Sequence, residues 1–333
     1  MTIKDIAKLS GYGIGTVSRV LNNHSDVSDK ARKKIMEVIE ESNFQPNTNA
    51  RHLKRQSVSS LSIIVKGNQN MLFADILEKM QMLFSRNGEN AEVSYIDEDA
   101  NEVECALSLC RDRNPKGIIF LGGNLDYFDA FDSIEVPCVL LTNSAGSLNI
   151  SNLSSFYTDD EEASYQVGSY LIKQGHKKIG VITGKADSLH AQARLIGYQK
   201  ALRDEGLLYD PELIYYGDWG RESGHTGAEV LLKKQVTAIF CMNDLMAGGC
   251  YDWADESGIK IPQEISVAGY DNRELSSYYK PPLSTTELPL HDIGYRAAEV
   301  MIGLVEKKSG ETAEPQVYKV PCKQLIRQSI KTL

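Results

Sequence analysis

The order of apolar and polar positions over residues 3–43 follows the spacing of helices, and short turn signals rather than strands interrupt it. We predict three helices: residues 3–9, residues 14–21, and a third that begins after Ser28, whose hydroxyl suits a helix N-cap. A glycine-containing turn separates the first two helices. The helices are predicted to enclose a small core of Ile6, Leu9, Val17, Val20, Leu21 and Ile35.

From residue 61 onward the pattern changes to short apolar strands that alternate with helical segments. The predicted strands form two series, 61–65, 93–96, 117–121 and 137–141, followed by 178–183, 213–216, 238–242 and 266–269. Because parallel strands need a crossover between them, this alternation predicts an α/β fold with two parallel, doubly wound sheets. In such sheets ligands bind beyond the carboxyl ends of the strands, so we expect a site in a cleft between two lobes.

Charge is distributed unevenly along the chain, although its formal net value is −9. Residues 1–56 contain 10 Lys and Arg against 6 Asp and Glu, a net charge of +4, which leaves −13 for residues 57–333. A basic N-terminal domain on an acidic body is expected when only that domain meets nucleic-acid phosphates.

Several classes of protein are disfavoured by what the sequence lacks. No apolar run approaches the ~20 residues of a membrane span, and the N-terminus lacks the apolar stretch of a signal peptide, so we predict a cytoplasmic protein. The six cysteines form no C-x-x-C pair and are predicted to be buried, reduced thiols. The six histidines are dispersed, so we expect no metal site and no cofactor.

Residues 3–11 (IKDIAKLSG) and 16–22 (TVSRVLN) together resemble the DNA-binding headpiece of the lactose-repressor (LacI) family. A recognition helix needs a small-residue turn before it and polar or basic groups on its outward face. The alternative is a helical hairpin without a DNA role. The resemblance implies DNA contacts from Thr2, Ile14, Gly15, Thr16, Ser18, Arg19 and Asn22. Among them, Arg19 is able to contact guanine with two hydrogen bonds.

The turn departs from the family's usual pattern. Tyr12-Gly13 stands where the family has Val-Ser, so a capping hydroxyl is missing, and Gly15 offers no side chain to read a base. The departure bears on which operator sequence is recognised rather than on DNA binding itself.

Residues 47–53 (NTNARHL) resemble the family's hinge helix, which folds on DNA when two subunits come together. The resemblance implies DNA contacts from Asn47, Ala50 and Leu53, with Leu53 in the minor groove. Since an apolar wedge unstacks a base step, we expect a pseudo-palindromic operator with a deformable centre. The alternative is a flexible linker.

Further motifs resemble the second lobe of the family's periplasmic-binding-protein-like core. They lie at residues 159–171, 176–182, 194–202, 243–249, 267–272 and 280–286. The resemblance implies an effector cleft lined by Phe73, Thr142, His190, Arg194, Trp219, Asn243 and Asp271.

The residue types in this set suit a polyol. Asp271 accepts from hydroxyl pairs, Asn243 offers a donor and an acceptor, and Arg194 donates a planar fork. Trp219 offers an aromatic face to the C–H face of a sugar ring, which favours a mono- or disaccharide over a nucleobase, although a core or lid tryptophan is the alternative. Phe73 is a weaker aromatic candidate, and Thr142 stands where many relatives carry aspartate.

We divide the chain into four parts. They are a headpiece (1–46), a hinge helix and linker (47–59), a first lobe (60–157 and 287–317) and a second lobe (158–286 and 318–333). The chain stops soon after residues 325–329, without the tetramerising helix of the lactose repressor, so we expect a homodimer. We interpret it as a sequence-specific repressor whose operator affinity is controlled by a sugar.

Two rival interpretations within the family stay open, a global carbon-catabolite regulator with a phosphocarrier protein partner and a purine-type repressor that needs a co-repressor. Outside the family, a sugar transport protein is opposed by the headpiece. An enzyme is disfavoured because Asp159-Asp160 and Asn243-Asp244, although readable as acid/base pairs, are more typical of helix caps. The sequence also lacks a G-x-S-x-G nucleophile, a P-loop and a dinucleotide fingerprint after the first strand.

Overall fold

The computed structural model describes residues 3–21, 27–42, 60–67, 71–306 and 314–333. The chain forms two compact units, Met1–Ser59 and Ser60–Leu333. Within the described ranges, no helix combines the length and the apolar character that a membrane crossing requires.

The first unit contains the three predicted helices, α1 (Ile3–Ser10), α2 (Ile14–Leu21) and α3 (Asp29–Glu41). Gly11 has a φ of 75°, a left-handed conformation that glycine adopts without strain and that ends α1. The helices share a core in which each side chain is at most 8% exposed: Ile6, Ala7, Val17, Val20, Ile35 and Val38.

The predicted core position of Leu9 is wrong, because its side chain is 59% exposed. The buried stripe of α1 runs through Ile6, Ala7 and Ser10, positions i, i+1 and i+4. At 100° per residue, Leu9 lies to the outer side of that stripe. Leucine spacing alone was therefore a poor guide in a helix this short.

The second unit contains a six-stranded parallel sheet and a four-stranded parallel sheet. The first sheet has the order β11-β5-β4-β3-β1-β2, with β1 Leu61–Lys66, β2 Ala91–Ile96, β3 Gly117–Leu121, β4 Cys138–Leu141, β5 Leu153–Thr158 and β11 Val317–Val320. The second has the order β7-β6-β8-β9, with β6 Ile179–Thr183, β7 Ile214–Tyr216, β8 Ala238–Cys241 and β9 Ser266–Ala268. An antiparallel pair, β10 (Thr285–Glu287) and β12 (Lys323–Leu325), completes the strands described.

Helices cover both faces of the first sheet. On one face α4 (Met71–Arg86) and α10 (Leu290–Glu306) pack on a core that includes Ile63, and on the other α5 (Glu102–Arg113) packs on a core that includes Ile64. Adjacent residues of β1 thus face opposite cores, as the strand period requires. The helices of the second lobe are α6 (Asp160–Lys173), α7 (Leu189–Asp204), α8 (Arg221–Leu232) and α9 (Asp244–Glu256). The predicted α/β class with two doubly wound sheets is confirmed.

The chain passes between the two lobes at residues 158–160, where β5 ends and α6 begins. It returns to the first lobe before α10 and passes to the second lobe again after β11. Because residues 317–320 pair with residues 155–158 in the first sheet, this last passage lies after Val320, and the predicted boundary at residue 317 falls inside the strand.

The six cysteines carry free thiols. Three are buried and three are half-buried, so burial of the cysteines was predicted correctly for only one half of them. The buried ones are Cys138, Cys241 and Cys250, and the half-buried ones are Cys105, Cys110 and Cys322.

Candidate functional site

The first two predicted effector-binding residues of the second lobe, His190 and Arg194, lie on α7. The hydroxyl of Ser188 caps this helix by accepting from the backbone N–H of Ala191. His190 and Arg194 are four residues apart and therefore lie on one face of α7. Arg194 is only 6% exposed, whereas the His190 side chain is 39% exposed.

Asp160, the first residue of α6, holds three side chains of this region together. Its carboxylate accepts from Nε of Arg194 at 3.1 Å, from Nδ1 of His190 at 2.7 Å and from the hydroxyl of Tyr270 at 2.8 Å. Burial alone would raise the pKa of Asp160, but Arg194 and the hydrogen bonds from His190 and Tyr270 hold the pKa well below its usual value. Asp160 is therefore a buried, ionised acid.

The sequence-based set omitted Asp160. The pair Asp159-Asp160 suggested helix caps, and Asp159 does cap α6, because its Oδ1 accepts from the backbone N–H of Glu162 at 3.0 Å. One cap position needs one carboxylate, so the second aspartate of the pair was the sequence signal that could have identified Asp160.

Arg194 makes further contacts above the carboxyl ends of the strands. Its Nη1 donates to the carbonyl of Met242, directly after β8, and its guanidinium lies 3.8 Å from the ring centroid of Tyr270 and 5.5 Å from that of Trp219. Burial opposes the charge of Arg194, but the carboxylate of Asp160 raises its pKa above the usual value. The arginine is a permanent buried cation.

Asp271 follows β9 and faces Arg194. Its φ of 107° is uncommon for a non-glycine residue, and such strain concentrates at functional sites. The carboxyl is buried, and its Oδ1 has no hydrogen-bond partner in the described structure, with Nη1 of Arg194 at 3.8 Å. Burial raises the pKa of Asp271 to about 8 against the lowering effect of Arg194.

Trp219 and Asn243 form the next part of the site. The backbone carbonyl of Trp219, whose φ is 71°, accepts from Nδ2 of Asn243 at 3.0 Å, and Oδ1 of Asn243 caps α9 through the N–H of Met246 at 2.8 Å. The indole lies over Gly184, where an added Cβ would come within 2.0 Å of a ring atom. Asn243 thus positions Trp219, which the sequence did not reveal.

The first-lobe candidates lie after strands of the first sheet. Phe73 on α4 packs on Gly122, whose added Cβ would lie 3.1 Å from the ring. Thr142 directly follows β4 with a φ of 78°, and its buried hydroxyl has no hydrogen-bond partner in the part of the chain that is described. Both residues are held by contacts within the first lobe.

Among the described residues, two ion pairs join the lobes away from the connecting segments. Nη1 of Arg273 lies 2.8 Å from Oδ2 of Asp75, and Nζ of Lys185 lies 3.1 Å from Oε2 of Glu98. We refer to these as the cross-lobe ion pairs. The four side chains are between 28% and 69% exposed, so solvent reaches each pair.

In the first unit, α2 presents the predicted DNA-reading residues. Gly15 and Arg19 are exposed and Thr16 is half-buried, while Val17 and Val20 point into the core. Ile14 and Ser18 belong to the same helix. The remaining predicted contacts lie outside the described residues: Thr2, Asn22, Asn47, Ala50 and Leu53.

Two family profiles match the chain. One, described as bacterial regulatory proteins of the lacI family, matches residues 2–47. The other, a periplasmic binding protein-like domain, matches residues 169–330. The first covers the three-helix unit, and the second covers most of the residues that surround Arg194.

Characterised relatives extend the likeness over nearly the whole chain. The HTH-type transcriptional regulator MalR of Clostridium butyricum is 33% identical over 92% of this chain and 93% of its own. The HTH-type transcriptional repressor PurR of Aliivibrio fischeri strain MJ11 is 30% identical over 93% of each chain.

Solved structures of regulators have the same fold. The Lac repressor dimer bound to operator and the anti-inducer ONPF is 26% identical, with a TM-score of 0.72 over 99% of each chain. The regulator CelR in complex with cellobiose is also 26% identical, with a TM-score of 0.70 over 99% of each chain.

Proposed function

This chain belongs to the lacI family of bacterial regulatory proteins, and from that premise we propose that its effector is a mono- or disaccharide. The protein is a DNA-binding transcriptional repressor controlled by a small ligand, not an enzyme. The sugar would bind between the two lobes and weaken operator binding.

One observation carries the choice of a sugar: within the described residues, the buried Oδ1 of Asp271 has no hydrogen-bond partner, although the guanidinium of Arg194 is nearby. A polyol brings hydroxyls that accept from Arg194 and donate to Asp271, which leaves no polar group unpaired. Trp219, 5.5 Å from the same guanidinium, offers a ring face for the C–H groups of a sugar. The cellobiose complex of CelR supports the same ligand class.

On the DNA side, we propose that Gly15, Thr16 and Arg19 of α2 face the major groove. We also propose DNA contacts from Ile14 and Ser18 of the same helix. The other proposed contacts lie outside the described residues: Thr2, Asn22, Asn47, Ala50 and Leu53. The operator would be a pseudo-palindrome bound by a homodimer, as the operator-bound Lac repressor dimer suggests. The protein would act in the cytoplasm.

An exposed apolar surface fits the proposed homodimer. Leu275 and Tyr278 are 60% and 67% exposed, and Leu245 on the first turn of α9 is 46% exposed. The two segments are held side by side because the backbone N–H of Arg273 donates to Asp244 at 2.7 Å. Such a cluster of large apolar side chains favours a protein partner.

Control of the operator follows from linkage. If the sugar binds one arrangement of the lobes more tightly, it shifts the population toward that arrangement, and operator affinity falls by the ratio of the two sugar affinities. Reciprocity requires operator DNA to weaken sugar binding by the same factor. Equal sugar affinity with and without operator would exclude this mechanism.

The test is operator binding to DNA from around the gene, at one salt concentration, with a panel of mono- and disaccharides. Release by one neutral sugar is the expected result. A purine base that tightens binding would instead support the purine-type alternative. Tightening only by a phosphorylated carrier protein would support the phosphocarrier-dependent alternative.

A further inference from the structure

Two buried carboxyl groups share one buried guanidinium in the second lobe. Nε of Arg194 lies 3.1 Å from Asp160, and Nη1 lies 3.8 Å from Asp271. All three residues are at most 7% exposed. A single positive charge compensates only one of two buried negative charges, so the two acids compete for Arg194.

Asp160 holds the stronger position in this competition. It receives hydrogen bonds from Arg194, His190 and Tyr270, so donors surround its ionised form. Oδ1 of Asp271 receives no hydrogen bond from any residue that the structure describes. Carboxylates that gather donors stay ionised, and carboxyls that are buried without donors hold their proton.

The charges around Asp271 act in both directions. Asp244 and Asp160 face it as further acids, and Arg194 and Arg273 as cations. Burial is the largest influence and raises the pKa of Asp271 to about 8, so the group is mostly protonated at pH 7. The pKa of Asp244 is also raised by burial, to about 6, so Asp244 is mostly ionised at pH 7.

We infer that Asp160 is a positioning residue of the effector cleft: by holding the Arg194 guanidinium it leaves Asp271 uncharged, which makes the cleft selective for uncharged polyols over anionic sugars. A protonated Asp271 donates through its O–H and accepts through its carbonyl, the two roles that a sugar hydroxyl matches. The charges of Arg194 and Asp160 cancel, as do those of Arg273 and Asp244, so no net positive charge is left to attract a sugar phosphate. The selectivity rests on the proposed sugar function, whereas the protonation of Asp271 does not.

Infrared spectroscopy of the full-length protein, with aspartate labelled by ¹³C at the carboxyl group, tests the protonation without any ligand. The wild type is expected to show the C=O band of a protonated aspartic acid at pH 7, absent from the Asp271→Asn variant. The band should decline as the pH rises through about 8. An ionised Asp271 at pH 7 would overturn the inference.

Asp160→Asn then tests the role of Asp160. Loss of its charge should free Arg194 for Asp271, so the midpoint of the Asp271 band should fall by about one pH unit or more. Asp160→Glu retains the charge and should keep the midpoint near the wild-type value. Asp159→Asn, which removes one neighbouring carboxylate outside the network, is the matched control and should not move the midpoint.

An unchanged midpoint in folded Asp160→Asn would contradict the positioning role. If that variant does not fold, a midpoint in Asp160→Glu that falls as far as predicted for Asp160→Asn would contradict it as well. Binding of any sugar phosphate in the panel more tightly than its parent sugar would overturn the selectivity. Failure of every sugar to release the operator would count against the proposed function. The infrared result would still test the positioning role of Asp160.

Discussion

The candidate site residues of the two lobes of the second unit differ in their chemistry. In the second lobe, Arg194 and Asp160 are buried charges held by hydrogen bonds, and the buried carboxyl of Asp271 lies 3.8 Å from Nη1 of Arg194. In the first lobe, Phe73 offers an apolar ring and Thr142 a single unpartnered hydroxyl. From this difference we expect the second lobe to orient a polar ligand and the first lobe mainly to enclose it.

The largest effect is expected from Asp271→Ala in the second lobe. Removing the carboxyl should weaken the effector roughly 100-fold, because ligand hydroxyls and Arg194 lose their partner. Operator binding without effector should be retained. Arg19→Ala, in α2, should do the reverse, and titrations of both ligands on both variants check the division. Loss of the same function in both variants would refute it.

A rise in pH should also act on the second lobe. Because the effector is proposed to meet protonated Asp271, whose pKa is raised to about 8, affinity should fall about tenfold between pH 7 and pH 9.

The raised pKa means that the folded state holds the proton more strongly than the unfolded chain. Its contribution to stability is therefore lost as pH rises toward about 8. Calorimetric titrations of wild type and Asp271→Asn check this, and identical pH profiles would contradict it.

Gly184→Ala is expected to weaken the effector by about tenfold or less by displacing Trp219. An added methyl would lie 2.0 Å from an indole atom, so the ring must move. Tryptophan fluorescence should report the displacement. Gly303→Ala is the matched control, because in the described ranges no atom beyond its chain neighbours and its own helix backbone lies within 4 Å of the added methyl. Equal effector affinities in the two variants would show that Trp219 does not pack on the ligand.

The smallest effect is expected from Thr142→Val in the first lobe. The change replaces a buried, unpartnered hydroxyl by a methyl group, so thermal stability should stay equal or rise slightly. Effector affinity should fall by about threefold at most. A loss as large as that of Asp271→Ala would show that the first lobe orients the ligand too, which contradicts the comparison.

Sequence periodicity was sufficient for the eight strands that it predicted, since buried parallel strands such as β3 are continuous apolar runs. It was insufficient for Leu9, since a helix of eight residues gives too few positions to locate a buried stripe. It also missed β5, whose apolar residues are interrupted by serines, and β11, which has no continuous apolar run.

The sequence analysis proposed candidate site residues one by one, but it did not predict the network that joins them. Arg194, Trp219 and Asp271 follow separate strands or lie on separate helices, and their proximity follows from the topology. The role of Asp160 depends on Tyr270, which is 110 residues away in the chain. Long-range pairing of this kind leaves no periodic signal, so only the folded arrangement reveals it.

The cross-lobe ion pairs make the regulator sensitive to the salt content of its surroundings. At physiological ionic strength the Debye length is about 8 Å, and exposed pairs such as Lys185–Glu98 are strongly screened. Operator binding weakens with salt through its phosphate contacts. We therefore expect higher ionic strength to weaken both operator binding and the attraction between the lobes, so the effector concentration that releases the operator should change with salt.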